Sequence, residues 1–169
     1  MIGEFVVCFQ EIENRFREIG WLILDPHRRV WPPKALRKET NVQLINEVMK
    51  LYTKLVDSLN IEDSVNRKKS FAEAVIAYQG LRRYRNNLLH SAYIELKAGG
   101  EVKGILRSNP KLKIDSETCD LVFDQEVLSE DAIQDKMRKL LEVALLVDHH
   151  YVQLIHWAPF DSLKKSESS

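Results

Sequence analysis

Phe5, Phe9, Ile12, Phe16, Ile19 and Ile23 recur at alternating spacings of four and three, which puts all six on one stripe of a helix. Asp25-Pro26 predicts its end, because proline has no amide hydrogen with which to continue. The pairs Glu11/Arg15 and Glu13/Arg17 fall on its wetter side. After a connector holding Pro32-Pro33, Thr40 and Gln43 form a capping box that opens a second helix. There Val42, Ile45, Met49, Tyr52, Val56 and Leu59 repeat the stripe, and Leu44, Val48, Leu51 and Leu55 add another, so burial on two sides is expected. A capping box of Ser70 and Glu73 predicts a third helix over residues 71–92, with Phe71, Ala74, Val75, Tyr78, Leu81, Leu89 and Ala92 on one apolar arc.

Beyond Tyr93 the period falls to two. Tyr93–Leu96 and Glu101–Leu106, joined by Ala98-Gly99-Gly100, predict a small hairpin, and the irregular stretch after it has room for one more short strand near Lys111–Ile114. Ser129, Glu130 and Asp131 then cap a long helix that reaches about Trp157, ahead of Pro159. Its stripe of Ile133, Met137, Leu140, Ala144, Val147, Tyr151 and Leu154 fills a bundle. Leu141, Leu145, Val152 and Ile155 lie on a neighbouring face, a candidate subunit interface. The pattern predicts an all-α fold: a four-helix-type bundle with a small β-hairpin insertion between the third helix and the long C-terminal helix. A single domain over residues 1–163 and a disordered tail over 164–169 are expected.

Composition changes this picture little. Of the 169 residues 44% are hydrophobic and 30% charged, the balance of a soluble globular domain. Cys8 and Cys119 have neither metal nor disulfide spacing, which fits a reducing cytosol, so a cytoplasmic protein without metal or other cofactor is expected. The run Phe5–Phe9 has no cation before it and is not read as an export signal, and Leu140–Val147 is too short for a bilayer and is interrupted by Glu142, so no membrane role is expected. Charge is more telling. The formal net of zero hides a segregation: residues 28–113 carry 18 Lys/Arg against 8 Asp/Glu, whereas 114–135 carry 8 acidic residues and no Lys or Arg. A basic body suits a polyanion, and the acidic segment could screen it or make a regulatory contact; both also read as plain solvated faces.

The stretch from Arg82 to His90 sets cations and amides where a helix should bury apolar side chains. Arg82 and Arg85 fall inside the apolar arc of the third helix, and a core-facing guanidinium is costly unless paired, so this end of the helix should face a cleft or a second subunit. Asn86 and His90, four apart, share a face beside Arg85.

Arg85 followed by Asn86, then three residues, then His90 near the end of an apolar helix resembles the HEPN family (higher eukaryotes and prokaryotes nucleotide-binding). Its signature is an arginine four to six residues before a histidine, often with a polar residue directly after the arginine. The resemblance implies a helical bundle that dimerises and, in catalytic members, a metal-independent endoribonuclease of the toxin or phage-defence kind, with an antitoxin protein as a further partner. On that reading His90 moves the 2′-hydroxyl or leaving-group proton, Arg85 stabilises charge developing at phosphorus, and Asn86 orients His90 or holds a phosphate oxygen. RNA supplies its own nucleophile, and a 2′,3′-cyclic phosphate is the product. In HEPN toxins paired with a nucleotidyltransferase, a tyrosine usually lies two residues after the histidine. Here Ala92 holds that place and Tyr93 follows, so Tyr93 is a candidate for modification or for packing.

Arg82 and Arg83, together with Arg28, Arg29, Trp31, Arg37 and Lys38 of the first connector, are the candidate RNA contacts, since cations interleaved with an indole suit phosphates and a stacked base. That connector reads equally as a solvated loop. His149, His150 and His156 lack metal-ligand spacing and read as core or interface histidines. The bland reading of the motif has His90 capping helix carbonyls while Arg85 pairs with Glu11 or Glu13. Arg85 and His90 stand about 140° apart on an ideal helix, so two copies across a dimer are a way to complete the site. A non-catalytic module binding nucleotide, nucleic acid or protein, and a purely structural dimeric bundle, are the competing functions.

Overall fold

The computed structural model describes residues 2–27, 33–37, 40–59, 63–114, 121–158 and 160. Among them are helices α1 (Ile2–Leu24), α2 (Asn41–Ser58), α3 (Ser64–Leu89) and α4 (Glu130–Trp157) and strands β1 (Ala92–Ala98), β2 (Glu101–Ile114) and β3 (Leu121–Leu128). One turn of 3-10 helix, Lys34–Leu36, lies between α1 and α2.

The helices form where the stripes predict. Phe5, Phe9, Ile12, Phe16 and Ile19 of α1 are buried, and α2 is buried on two sides through Leu44, Val48 and Leu55 and through Ile45, Tyr52 and Val56. Both sequence-read N-terminal caps of α2 and α4 are present: the Thr40 side chain accepts from the Gln43 amide at 3.3 Å, and Ser129 Oγ accepts from the Ala132 amide at 3.1 Å. Phe5 meets Tyr84, Phe9 stacks on Tyr78, and Phe16 meets Phe71, so α1 and α3 run antiparallel. Asn41 bonds Glu13, and Val48 lies where a Cβ on Gly20 would be, so α1 and α2 run parallel. Ser70 meets His150 and Arg67 meets Gln153, so α4 is antiparallel to α3.

Two expectations fail. The third helix does not begin at Phe71. It starts seven residues earlier, after Asp63 in the left-handed region at φ 69°, and Ser70 gives its hydroxyl to His150 instead of to a cap. Contacts of the first turns, Arg67 with Gln153 and Lys68 with Asp57, hold the added turns and outweigh the local capping signal. At the other end α3 stops at Leu89; Leu88 is the buried residue while Leu89 is exposed, and Ala92 opens β1.

The all-α class is also overturned. In place of a small hairpin insertion stands a three-stranded antiparallel sheet, order β1-β2-β3, with strands of 7, 14 and 8 residues. Its turn is the predicted one, with Gly99 and Gly100 at φ 62° and 84°, where a side chain would be strained. β2 runs on through the expected short strand, breaking register between Asn109 and Leu112, where Pro110 has no amide to donate. β3 reverses the usual burial pattern. The register sets Asp124, Glu126 and Leu128 on the face with Arg107 and Asn109, whereas Phe123 and Val127 are exposed on the other.

Arg107 explains the reversal. It is 4% exposed and donates to Glu126 at 3.1 and 3.2 Å, to Asp124 at 3.4 Å and to Ser91 Oγ at 3.2 Å. Ser91 in turn bonds the Asn87 carbonyl and the Tyr93 hydroxyl bonds that of Leu88, so the sheet caps the open carbonyls at the end of α3. Two members of the acidic segment are therefore counter-charges to a buried arginine.

Candidate functional site

α2 is the shortest of the four helices, and its first residue, Asn41, lies only level with Glu13 of α1. Beyond that level the walls of α1 and α3 stand open, and a cleft of about 360 Å³ forms between Gln10, Glu13, Asn14, Asn41 and Arg85. Arg85 takes a seam position. It follows Tyr78 and Leu81 and precedes Leu88 at spacings of three, four and three, all three neighbours being buried. It is half-buried with its guanidinium carbon 5.7 Å from the centre of the Phe9 ring, and Nη1 donates to Asn86 Oδ1 at 3.0 Å. Its Nε has no hydrogen-bond partner among the described residues, and neither has that of Arg82 one turn earlier.

Glu13 shares the cleft. Its carboxylate accepts from Asn41 and lies 3.5 Å from Arg17 Nη2. Burial raises its pKa above the usual carboxylate value, against the pull of Arg17 and then Arg85. The Tyr78 hydroxyl, buried beside the same groups, is pushed well up, first by burial and next by Glu13. With the guanidinium groups of Arg17 and Arg85 against the one carboxylate of Glu13, and the N-terminus of α2 opening onto it, the cleft favours an anion.

The motif is thus brought together in part. Arg85 and Asn86 are bonded to each other, and Arg82 lies beneath them. His90 ends α3: its amide donates to the Asn86 carbonyl at 3.1 Å, its imidazole is exposed, and no side-chain hydrogen bond among the described residues joins it to Arg85 or Asn86. Arg83 is exposed on the side of α3 away from the cleft, and Arg37 is exposed as the C-cap of the 3-10 turn, its amide donating to Lys34 O at 3.2 Å. Arg28, Arg29, Trp31 and Lys38 lie outside the described residues. Tyr93 is 41% exposed and its hydroxyl donates to the Leu88 carbonyl, with burial raising its pKa and Arg107 opposing.

Gln10, Asn14, Asn41 and Tyr78 were not legible as site residues. Gln10, Glu13, Asn14 and Arg17 do recur at helical spacing, a polar stripe opposite the apolar one, but nothing in α1 alone says that α2 stops short there. His150 is a core histidine, 2% exposed, its Nδ1 at 3.1 Å from the Tyr52 hydroxyl and its Nε2 at 3.1 Å from Ser70 Oγ. Among the described residues no three His, Cys, Asp or Glu side chains converge as a metal site, and no helix is long and apolar enough to cross a membrane. No protein-family model, curated protein or solved structure matches the chain.

Proposed function

We propose that the chain is a metal-independent endoribonuclease of the toxin or phage-defence kind, acting in the cytoplasm on RNA. The observation that carries this reading is Arg85: a half-buried guanidinium lining an open cleft, with Nη1 held by Asn86. A phosphate in that cleft would meet a planar cation already oriented by Asn86. His90 lies about 7.5 Å further along the axis of α3, exposed to a strand crossing the helix end, where an imidazole can relay the 2′-hydroxyl proton. A homodimer, for which the exposed Leu141, Leu145, Val152 and Ile155 of α4 argue, and an antitoxin protein belong to the same proposal.

A second reading, a non-catalytic module that binds nucleotide or nucleic acid, draws on one observation: no described residue orients the His90 ring, whereas a working base is usually held by a third group. One experiment separates the two. The protein should cleave single-stranded RNA in excess EDTA and leave 2′,3′-cyclic ends, with His90→Ala and Arg85→Ala each losing on the order of 10²–10⁴-fold and Asn86→Ala less. RNA left intact with and without divalent metal transfers the cleft to the binding reading, and full activity in His90→Ala removes the motif from the chemistry.

A further inference from the structure

A groove of about 500 Å³ runs between α1 and α4, on the side of α1 away from the Arg85 cleft. Cys8 and Ile12 line one wall; Arg138, Leu141, Leu145 and Asp148 line the other. Along α4, Arg138, Leu141, Leu145, Asp148, Val152 and Ile155 follow one another at spacings of three, four, three, four and three, the seam of a coiled coil. Leu141 and Leu145 are 60% and 63% exposed, and no described residue covers them.

The charges on this seam fix what can cover it. Leu141 and Leu145 are centred on residue 143, and Arg138 and Asp148 are centred on the same residue. Asp148 stands with Arg15, which bonds it at 2.6 Å and also holds Glu18, giving two carboxylates against one guanidinium. Arg138 and Lys139 share the single carboxylate of Asp135. The seam therefore carries a guanidinium towards one end and a carboxylate towards the other, at equal distances from the centre. We infer that this face pairs two copies of the chain through antiparallel α4 helices, about a two-fold axis at residue 143. Leu141 then packs on the partner's Leu145, Arg138 meets the partner's Asp148, and Val152 lies over the partner's Gln134. An isologous contact needs such self-complementarity, which an unrelated partner would not.

This rests on the homodimer proposed above and adds a consequence. The cleft residues Gln10, Glu13 and Asn14 lie roughly 175° around α1 from Cys8, Ile12 and Arg15, so the two Arg85 clefts face outward and each protomer carries a whole site. A site completed across the dimer is replaced by two separate ones.

The test uses the full chain and its mass in solution. Wild type should be a dimer at micromolar concentration, and Leu145→Arg a folded monomer. Arg138→Asp and Asp148→Arg should each weaken self-association about tenfold or more, because symmetry counts each reversal twice. Mixed together the two variants should pair again, since every contact across the axis is once more between opposite charges. A monomeric wild type overturns this inference and the homodimer proposal alike. A dimer that ignores Leu145→Arg and both reversals, or two weakened variants that stay apart on mixing, overturns the α4 pairing while leaving the homodimer proposal standing.

Discussion

Acid should loosen this bundle through His150. The ring is buried between α2, α3 and α4, neutral, and held at both nitrogens by Tyr52 and Ser70. Burial first, then the charges of His149 and Arg67, lowers its pKa from 6.5 to about 4. In the unfolded chain the same imidazole takes a proton near 6.5, so between the two values the unfolded state binds more protons and stability falls as pH falls. The loss begins below pH 6.5, reaches about 2 kcal/mol at pH 5 and about 3 kcal/mol near pH 4, at about 1.4 kcal/mol for each pH unit separating the two states. Carboxylates titrate over part of this window, and Glu13, raised by burial, acts in the opposite sense. His150→Gln isolates the histidine: it keeps a polar side chain and cannot titrate. Urea unfolding at pH 7 and pH 5 should show wild type losing about 2 kcal/mol more than the variant across that interval. Equal losses in the two proteins would refute the argument, because they would mean that the ring is already protonated, or free to reach water, in the folded state.

Arg107→Met should cost about 1.5–3 kcal/mol, since Asp124 and the part-exposed Glu126 both lose hydrogen bonds to one buried guanidinium. Denaturant midpoints measure the loss, and a change below about 1 kcal/mol would show that those carboxylates are already solvated. Gly20→Val should cost about 1–3 kcal/mol by overpacking, because even a Cβ there would come within 2.8 Å of Leu36 and 2.9 Å of Val48; an unchanged melting temperature would refute that close approach.

How much was legible differs between the bundle and its ends. The stripes of α1, α2 and α4 name most of the buried residues, because a helix reports its core face through spacing; in α4 the face is turned slightly, so that Val143 is buried while Met137, Ala144 and Tyr151 are only half-buried. The caps at Thr40 and Ser129 read correctly because their hydrogen bonds span only three residues. The cap at Ser70 read wrongly because the same hydroxyl had a partner 80 residues away. β3 escaped because its inward side carries Asp124 and Glu126 while Phe123 and Val127 face out, a pattern that makes sense only once Arg107 lies opposite.

For the candidate site the division is similar. The sequence by itself singles out Arg85, because a guanidinium on an apolar seam is anomalous wherever the helix is packed. That the anomaly is relieved by an open cleft, and not by an ion pair with Glu11 or Glu13, depends on where α2 starts relative to α1, a matter of the connector's path and of Gly20 letting α2 approach. The exposed stripe of α4 could be read from spacing as a second apolar face; that no described residue covers it, on the far side of α1 from Arg85, only the packing of four helices decided. Local periodicity sets which face of each element is apolar, and the relative lengths and offsets of the elements set which of those faces, and which charges, remain open to a ligand.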